Sequence, residues 1–116
     1  MFNIKNSKKA ESVNVSMKSI YYGHHKVTYK GIKAIRCPFD YVMYQMIIHE
    51  VQPDLIIEVG TNVGGGALYI ADLLDTIGKG VLHTIDIVDI SNQKVKEHER
   101  ISLFYDGWKG YDLNLN

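Results

Sequence analysis

From residue 38 onward, apolar and polar positions fall into blocks with distinct periods. Phe39, Val42, Met43, Met46 and Ile47 follow the i, i+3, i+4, i+7, i+8 rule, which predicts a helix over 39–51 with that stripe as its buried face. Tyr41, Tyr44 and Ile48 lie on the other face and imply contact on a second side. Pro38 suits a first helical turn, and Asp40 sits where the positive end of the helix dipole favours an acid. Pro53 and Asp54 stop the helix. The unbroken apolar run "LIIEVG" then predicts a strand over 54–60, of the kind covered on both faces in a parallel sheet. After a cluster of glycines, Ala67, Ile70, Ala71 and Leu74 share one helical stripe, with Asp72 and Asp75 off it, so a second helix is expected over 65–77. Gly78 fits a left-handed cap at its end.

"VLHTIDI" predicts a second strand over 81–87 and "RISLFY" a third over 100–105. The polar stretch between them, "VDISNQKVKEHE", reads as loop or one short helix. Strand, helix, strand, segment, strand is the order of right-handed crossover units, so the fold class is α/β with about three adjacent parallel strands. The first third of the chain lacks such a pattern. Residues 1 to about 20 are polar and rich in Lys, Ser and Asn, with a start expected to be poorly ordered, and "IYYGHHKVTYKGIKAIRCP" reads as irregular or short extended pieces.

Composition narrows this picture. With 116 residues, 46% apolar and 22% charged, the chain makes one small globular domain or part of a larger one. Its single cysteine, Cys37, excludes an internal disulfide framework and fits a reducing compartment. No apolar run is long enough to span a membrane, and the start "MFNIKNSKKAES" lacks the apolar core of a secretory signal. A cytoplasmic location is the expectation. Net charge is zero, yet residues 1–36 hold eight Lys or Arg against one acid, Glu11, while residues 37–116 hold five basic and twelve acidic groups. This divides the chain into a basic arm, 1–36, and an α/β body, 37–116. The arm's lysines are scattered with no aromatic ladder among them, so nucleic acid is not an expected partner.

The glycine turn is where chemistry is expected. In an open parallel sheet, ligands sit beyond the carboxyl ends of the strands. Gly60 ends the first strand, and Gly64, Gly65 and Gly66 lead into the helix, so backbone N–H groups can approach a ligand closely there. The spacing G-x-x-x-G-G-G is neither the dinucleotide fingerprint nor a P-loop, which disfavours a dinucleotide and a nucleoside triphosphate. Glu58, an acid inside an apolar strand, is costly to bury without a partner. Asp86 closes the next strand. Two carboxylates at the ends of neighbouring strands fit one ligand that carries an amino group and a ribose diol; otherwise Glu58 caps the turn and Asp86 merely ends a strand.

Other reactive residues carry less. His24 and His25 are adjacent, with no Cys or acid cluster around them, and read as surface histidines. His49 and His98 sit among charged neighbours and read as solvated, while His83 alternates into a sheet face as a hydrogen-bonded histidine. Cys37 has no base in view, Asp106 reads as a loop carboxylate, and Trp108 either covers a pocket or packs the C-terminal end. No catalytic residue and no metal ligand is assigned.

The segment "KAIRCPFDYVMYQMIIHEVQPDLIIEVGTNVGGGALYIADLLDTIGKGVLHTIDI" resembles the cephalosporin hydroxylase and rhamnosyl O-methyltransferase family, over roughly residues 30 to 110. Its most specific parts are Pro38 with Asp40, "PDLIIEVGTxxGGGA" and the "TIDI" strand end. "FYDGWKGYDL" is similar to a Gly-Trp segment in some relatives. The resemblance implies a Rossmann-like class I fold and S-adenosylmethionine as cofactor. Glu58, Gly60, Thr61, Gly64 and Gly65 would then form the first cofactor motif, with Asp86 on the adenosyl ribose. It further implies methyl transfer to a hydroxyl of a sugar or other small acceptor, with a divalent metal such as Mg and a general base in the complete architecture. Family members continue through a fourth strand that ends in an acidic cluster and a His. The chain stops before that strand, so the expectation is a truncated sheet whose first strand has an open edge, available for self-association. Two alternatives remain: a non-catalytic interaction module that pairs through that edge, and a nucleotide-binding α/β unit of unrelated chemistry.

Overall fold

The computed structural model describes residues 16–111. The expected disorder at the chain's start falls on residues outside that range. Within it, the central element is a parallel three-stranded sheet. To reach it the chain first forms a helix, α1 (Met17–His24), and an antiparallel hairpin, β1 (Thr28–Tyr29) and β2 (Ile32–Lys33). Helix α2 (Pro38–Val51) follows, then strand β3 (Leu55–Val59), helix α3 (Gly65–Ile77), strand β4 (Val81–Ile85), the short helix α4 (Gln93–Lys96) and strand β5 (Ile101–Phe104). A single 3-10 turn, Trp108–Gly110, ends the described chain.

The sheet order is β3-β4-β5, and both pairings are parallel, in the register Ile57↔His83 and His83↔Ser102. This is the α/β arrangement that the hydrophobic periods predict, and the five elements with expected bounds, α2, β3, α3, β4 and β5, each lie within two residues of them. Helix α3 supplies the core. Ala67, Ile70, Ala71 and Leu74, the predicted stripe, are buried against Leu82 of β4, Ile101 of β5 and Val95 of α4. Gly78 closes α3 in the left-handed conformation with its N–H on the Leu74 and Asp75 carbonyls, as expected for that cap.

Three expectations need correction. The first is α1, an eight-residue helix in a stretch that shows no helical period. Its start is capped by Ser16, whose hydroxyl accepts the N–H of Ser19 at 3.1 Å, but it buries no side chain, so no apolar stripe marks it.

The second concerns the face of α2. The stripe Phe39, Val42, Met43, Met46, Ile47 faces outward, with Phe39 72% exposed, and the buried residue is Ile48. Tyr41 and Tyr44 share that inner side, where the Tyr69 hydroxyl of α3 donates to the Tyr41 carbonyl at 2.6 Å. Periodicity identifies a face that has to be covered, but it does not say which element covers it. Here α3 takes the aromatic side, and the aliphatic side has no partner among the described residues.

The third correction is at β3. It is not covered on both faces: Ile57 and Val59 are 44% and 69% exposed. Only Ile56 and Glu58 turn towards the helices.

The hairpin docks on α3 rather than standing clear of it. Ile32 and Ala34 are buried, and the Tyr29 hydroxyl donates to Asp72 at 2.6 Å.

Candidate functional site

The parallel register brings the carboxyl ends of β3 and β4 side by side. Val59 is level with Ile85, and the Gly60 N–H donates to the Ile85 carbonyl at 2.7 Å. Residues 60–64 then turn into the N-terminus of α3. Gly60 has φ +100°, a conformation that side chains other than hydrogen rarely adopt, and a Cβ built on it would meet nothing within 4 Å. Its missing side chain faces open space at the strand end. Gly65 is bare for a different reason, since a Cβ there would lie 2.2 Å from the Lys33 carbonyl oxygen. Its first role is to let β2 pass directly over the start of α3.

Asp86 holds this turn together. One of its oxygens accepts the Asn62 N–H at 2.8 Å and the other the Ile87 N–H at 2.7 Å. These backbone hydrogen bonds, that from Asn62 foremost, hold its carboxyl below the ordinary range. The Val88 and Thr61 N–H groups act on it in the same direction, so the carboxyl is held by the backbone of both strand ends.

Glu58 is the buried acid of the site, 7% exposed. Its Oε1 accepts from the Thr84 hydroxyl at 2.7 Å. Thr84 has only one proton to give, so at the 2.6 Å contact between Thr61 and Thr84 it is Thr61 that donates. Among the described residues the second oxygen, Oε2, has the Arg36 guanidinium as its hydrogen-bond partner, at 3.3 Å. Desolvation pushes the Glu58 carboxyl above its ordinary range, and the Thr84 hydroxyl and Arg36 offset part of that push. Beside it lies a cavity of about 290 Å³ lined by Lys33, Arg36, Tyr41, Glu58, Gly60 and Thr61, among others. The Tyr41 hydroxyl, on the same wall, is buried without a hydrogen-bond partner among the described residues.

Glu58, Gly60, Thr61 and Gly65 therefore share one cavity wall. Gly64 sits behind it, where a Cβ would strike the Val95 side chain at 2.6 Å. Asp86 is not among the residues that line the cavity and is joined to it only through Asn62, which is. Sequence reasoning missed Arg36, Thr84 and Tyr41. The available signal was indirect: a buried acid needs a cation and a donor, but no spacing says which.

A metal is expected only from the family likeness, and the described residues do not assemble an obvious centre for one. Asp72, Asp75 and His98 come close enough together to share an ion. Lys30 pairs with Asp72 at 2.7 Å, however, and Arg100 pairs with Asp75, so both negative charges are already matched. The His98 Nδ1 accepts the Arg100 N–H at 3.2 Å. Its Nε2 must then carry the proton that faces Asp72 at 3.1 Å, and it has no lone pair for a metal. His98, expected to be solvated, is instead 13% exposed and clamps α3 to the start of β5, because the two aspartates off the α3 stripe point at it. His83 is hydrogen-bonded as expected, at 2.6 Å from the Tyr111 hydroxyl. No helix of the described chain is long and apolar enough to cross a membrane.

Comparison with known proteins gives a consistent family. The model of a family described as rhamnosyl O-methyltransferase/CmcI matches residues 21–104. The rhamnosyl O-methyltransferase of Mycobacterium tuberculosis (strain ATCC 25618 / H37Rv) is 44% identical over 62 residues, which are 51% of this chain and 25% of that protein. That of Mycobacterium leprae (strain TN) is 39% identical over 62 residues, or 51% of this chain and 27% of that protein. The chain thus spans about a quarter of the length of these curated relatives. A solved structure named "cmcI-N160 SAH" superposes with a TM-score of 0.62 at 23% identity, covering 66% of this chain and 41% of that one. At that identity the likeness establishes the fold alone, a Rossmann-like parallel sheet with flanking helices.

Proposed function

The chain belongs to the rhamnosyl O-methyltransferase/CmcI family, and from that premise we propose that it forms the S-adenosylmethionine-binding part of an O-methyltransferase for a sugar or other small hydroxylated acceptor. The observation that carries the reading is the pair of acids, Glu58 and Asp86, at the carboxyl ends of neighbouring parallel strands on either side of an open glycine turn. A structural neighbour whose name includes SAH supports the same ligand class. S-adenosylmethionine supplies an electrophilic methyl group.

The residues of this chain fit such a molecule. Glu58 lines a cavity the size of an amino-acid tail and is poorly compensated at Oε2, so an ammonium group is a favourable partner for it. Asp86, at the end of the neighbouring strand, is the acid assigned to a ribose diol. Gly60 leaves the strand end open for close approach of the ligand to the backbone. Thr61 and Thr84 hold the Glu58 carboxyl in one orientation. None of these residues is placed to deprotonate an acceptor, so acceptor activation is assigned to other residues of the complete enzyme. A divalent metal belongs to that part of the proposal as well. Isothermal titration with S-adenosylhomocysteine tests the reading: binding is expected, weakened by Asp86→Ala and by Gly60→Val. No binding, or equal affinity for NAD, overturns it.

One further observation favours a second property. Among the described residues β3 pairs only with β4, and a largely apolar groove of about 430 Å³ runs beside it, lined by Ile47, Val51, Ile57 and Val59 among others, with Arg36 and Glu58 also in its lining. We propose that this face is an interface on which a second copy of the chain packs.

A further inference from the structure

The geometry points to Arg36 as the anchor for the carboxylate of the cofactor's amino-acid tail, with Glu58 left to hold its ammonium group. This assignment rests on the S-adenosylmethionine reading above.

Arg36 lies between β2 and α2, on a segment fixed by the Ala34 N–H on the Val27 carbonyl at 2.9 Å and the Arg36 N–H on the Ala34 carbonyl at 2.9 Å. Its guanidinium is held in place but under-used. One terminal nitrogen donates to the Tyr44 hydroxyl at 2.6 Å, and the plane sits 5.5 Å from that ring's centre. The other reaches Glu58 at 3.3 Å, longer than the roughly 2.7–2.9 Å of a well-made charged pair. A guanidinium carries five N–H donors in a fork that matches a carboxylate, so three are left without a protein acceptor in these contacts. The Nε faces the cavity floor, 3.7 Å from where a Cβ on Gly66 would stand, and a third of the side chain remains exposed.

The cavity places these charges in a pattern. Glu58 and the Arg36 guanidinium both line it, 3.3 Å apart, one negative and one positive. The buried Tyr41 hydroxyl, without a partner among the described residues, lies near the same floor, 3.8 Å from the Cβ position of Gly66. An amino acid carries its carboxylate and its ammonium on one carbon, which is the spacing this arrangement complements. The long Arg36–Glu58 contact then marks two groups that hold each other loosely until a zwitterion comes between them. The competing account is that Arg36 merely neutralises a buried acid, and the two accounts differ in what a ligand feels.

The test uses three probes on the 116-residue chain, with titration calorimetry as the readout: S-adenosylhomocysteine, its decarboxylated analogue that keeps the amine, and 5′-methylthioadenosine, which lacks the tail. The wild-type chain is expected to bind S-adenosylhomocysteine about ten- to a hundredfold more tightly than the decarboxylated analogue, the usual effect of a hydrogen bond to a charged group. Arg36→Met is expected to abolish that difference and leave 5′-methylthioadenosine unchanged, while Arg36→Lys restores part of it. Equal wild-type affinity for S-adenosylhomocysteine and its decarboxylated analogue overturns the anchor and needs no variant to fold. Loss of all three ligands alike in Arg36→Met also overturns it, as a purely structural role. A wild-type chain that binds none of the probes overturns the cofactor reading itself, and the anchor with it.

Discussion

The carboxylate of Asp86 at the end of β4 accepts the N–H of Asn62, 24 residues earlier in the chain, at 2.8 Å. A second acceptance, from Ile87 at 2.7 Å, fixes the carboxyl plane. One residue thus sets the conformation of the glycine turn and presents itself to whatever lies above it. Asp86→Ala is expected to lower stability by about 1 kcal/mol, the lower range for hydrogen bonds to a charged group in a partly exposed place. It should also weaken S-adenosylhomocysteine. Asp86→Asn keeps an acceptor for Asn62, so it should recover more of the stability than of the affinity. Thermal unfolding and calorimetry on the same samples check this, and parallel recovery of both would contradict the double role.

The two glycines of the turn should respond differently. At Gly65 a methyl group would run into the Lys33 backbone, so Gly65→Ala is expected to cost about 1–3 kcal/mol by overpacking. At Gly60 the same change meets no atom, and its expected cost is about 1–2 kcal/mol from left-handed backbone strain alone. Gly60→Ala should nevertheless lose more affinity relative to the stability it loses. Chemical denaturation paired with titration measures both ratios, and the reverse order would sink the assignment of the open side.

Much of this was legible in the residues, because the determining interactions are local. The α3 stripe, the strand ends and the Gly78 cap depend on period and backbone preference, and the structure reproduces them. What was not legible depends on which surfaces meet. The two sides of α2 are both apolar enough to be a core face, and only the tertiary contact of Tyr41 with Tyr69 chooses between them. The same holds for the site. Glu58 stood out because an acid in an apolar strand is anomalous, whereas Arg36 was one cation among eight in the first 36 residues and Thr84 one polar residue in a strand.

Binding should depend on pH through Glu58. Its carboxyl lies above the ordinary range because burial disfavours the charge. Only the ionised form attracts an ammonium group, so affinity for S-adenosylhomocysteine is expected to fall as pH drops through that raised value, before an ordinary glutamate would titrate. The contribution to stability has the opposite sign. The folded state binds the Glu58 proton more tightly than the unfolded chain does, so this group lowers stability as pH rises from the unfolded value through the folded one. Glu58→Gln should flatten both profiles. Titrations at a series of pH values decide it, and a binding profile in Glu58→Gln identical to the wild type would rule Glu58 out.

Asp72 carries the opposite linkage. Desolvation raises its pKa, but hydrogen bonds from Lys30, Tyr29 and His98 outweigh that and hold the carboxyl below its ordinary value. Its stabilisation is present above the unfolded value and is lost as pH falls through the folded one. It joins three separate pieces of the fold, the hairpin, α3 and the start of β5. Asp72→Ala is expected to cost about 2 kcal/mol, within the range for breaking a partly buried charged network, and to detach the hairpin. Added zinc or magnesium should leave the melting temperature of the unsubstituted chain unchanged, because both aspartates are already paired; a metal-dependent rise that Asp72→Ala removes would refute the structural assignment.

The last expectation concerns the outer side of α2 and the free edge of β3. Phe39, Val42, Met43, Met46, Ile47, Val51, Ile57 and Val59 are all exposed large apolar side chains. One partner brings roughly 800 Å² to a standard interface, and eight side chains each about half exposed are of the number and size that can supply most of it. Ile47, Val51, Ile57 and Val59 share one groove, and a contiguous apolar surface of that total area is more than a soluble monomer ordinarily leaves uncovered. The unpaired backbone groups of β3 add a template for strand pairing. A second copy using the same face buries both, so the chain should sediment as a dimer at micromolar concentration. Val59→Lys and Met46→Lys should shift it to monomer without lowering the melting temperature of the monomer fold, because neither side chain contributes to the α3 core. A wild-type chain that sediments as a stable monomer contradicts the interface. So does a dimer that survives both charges.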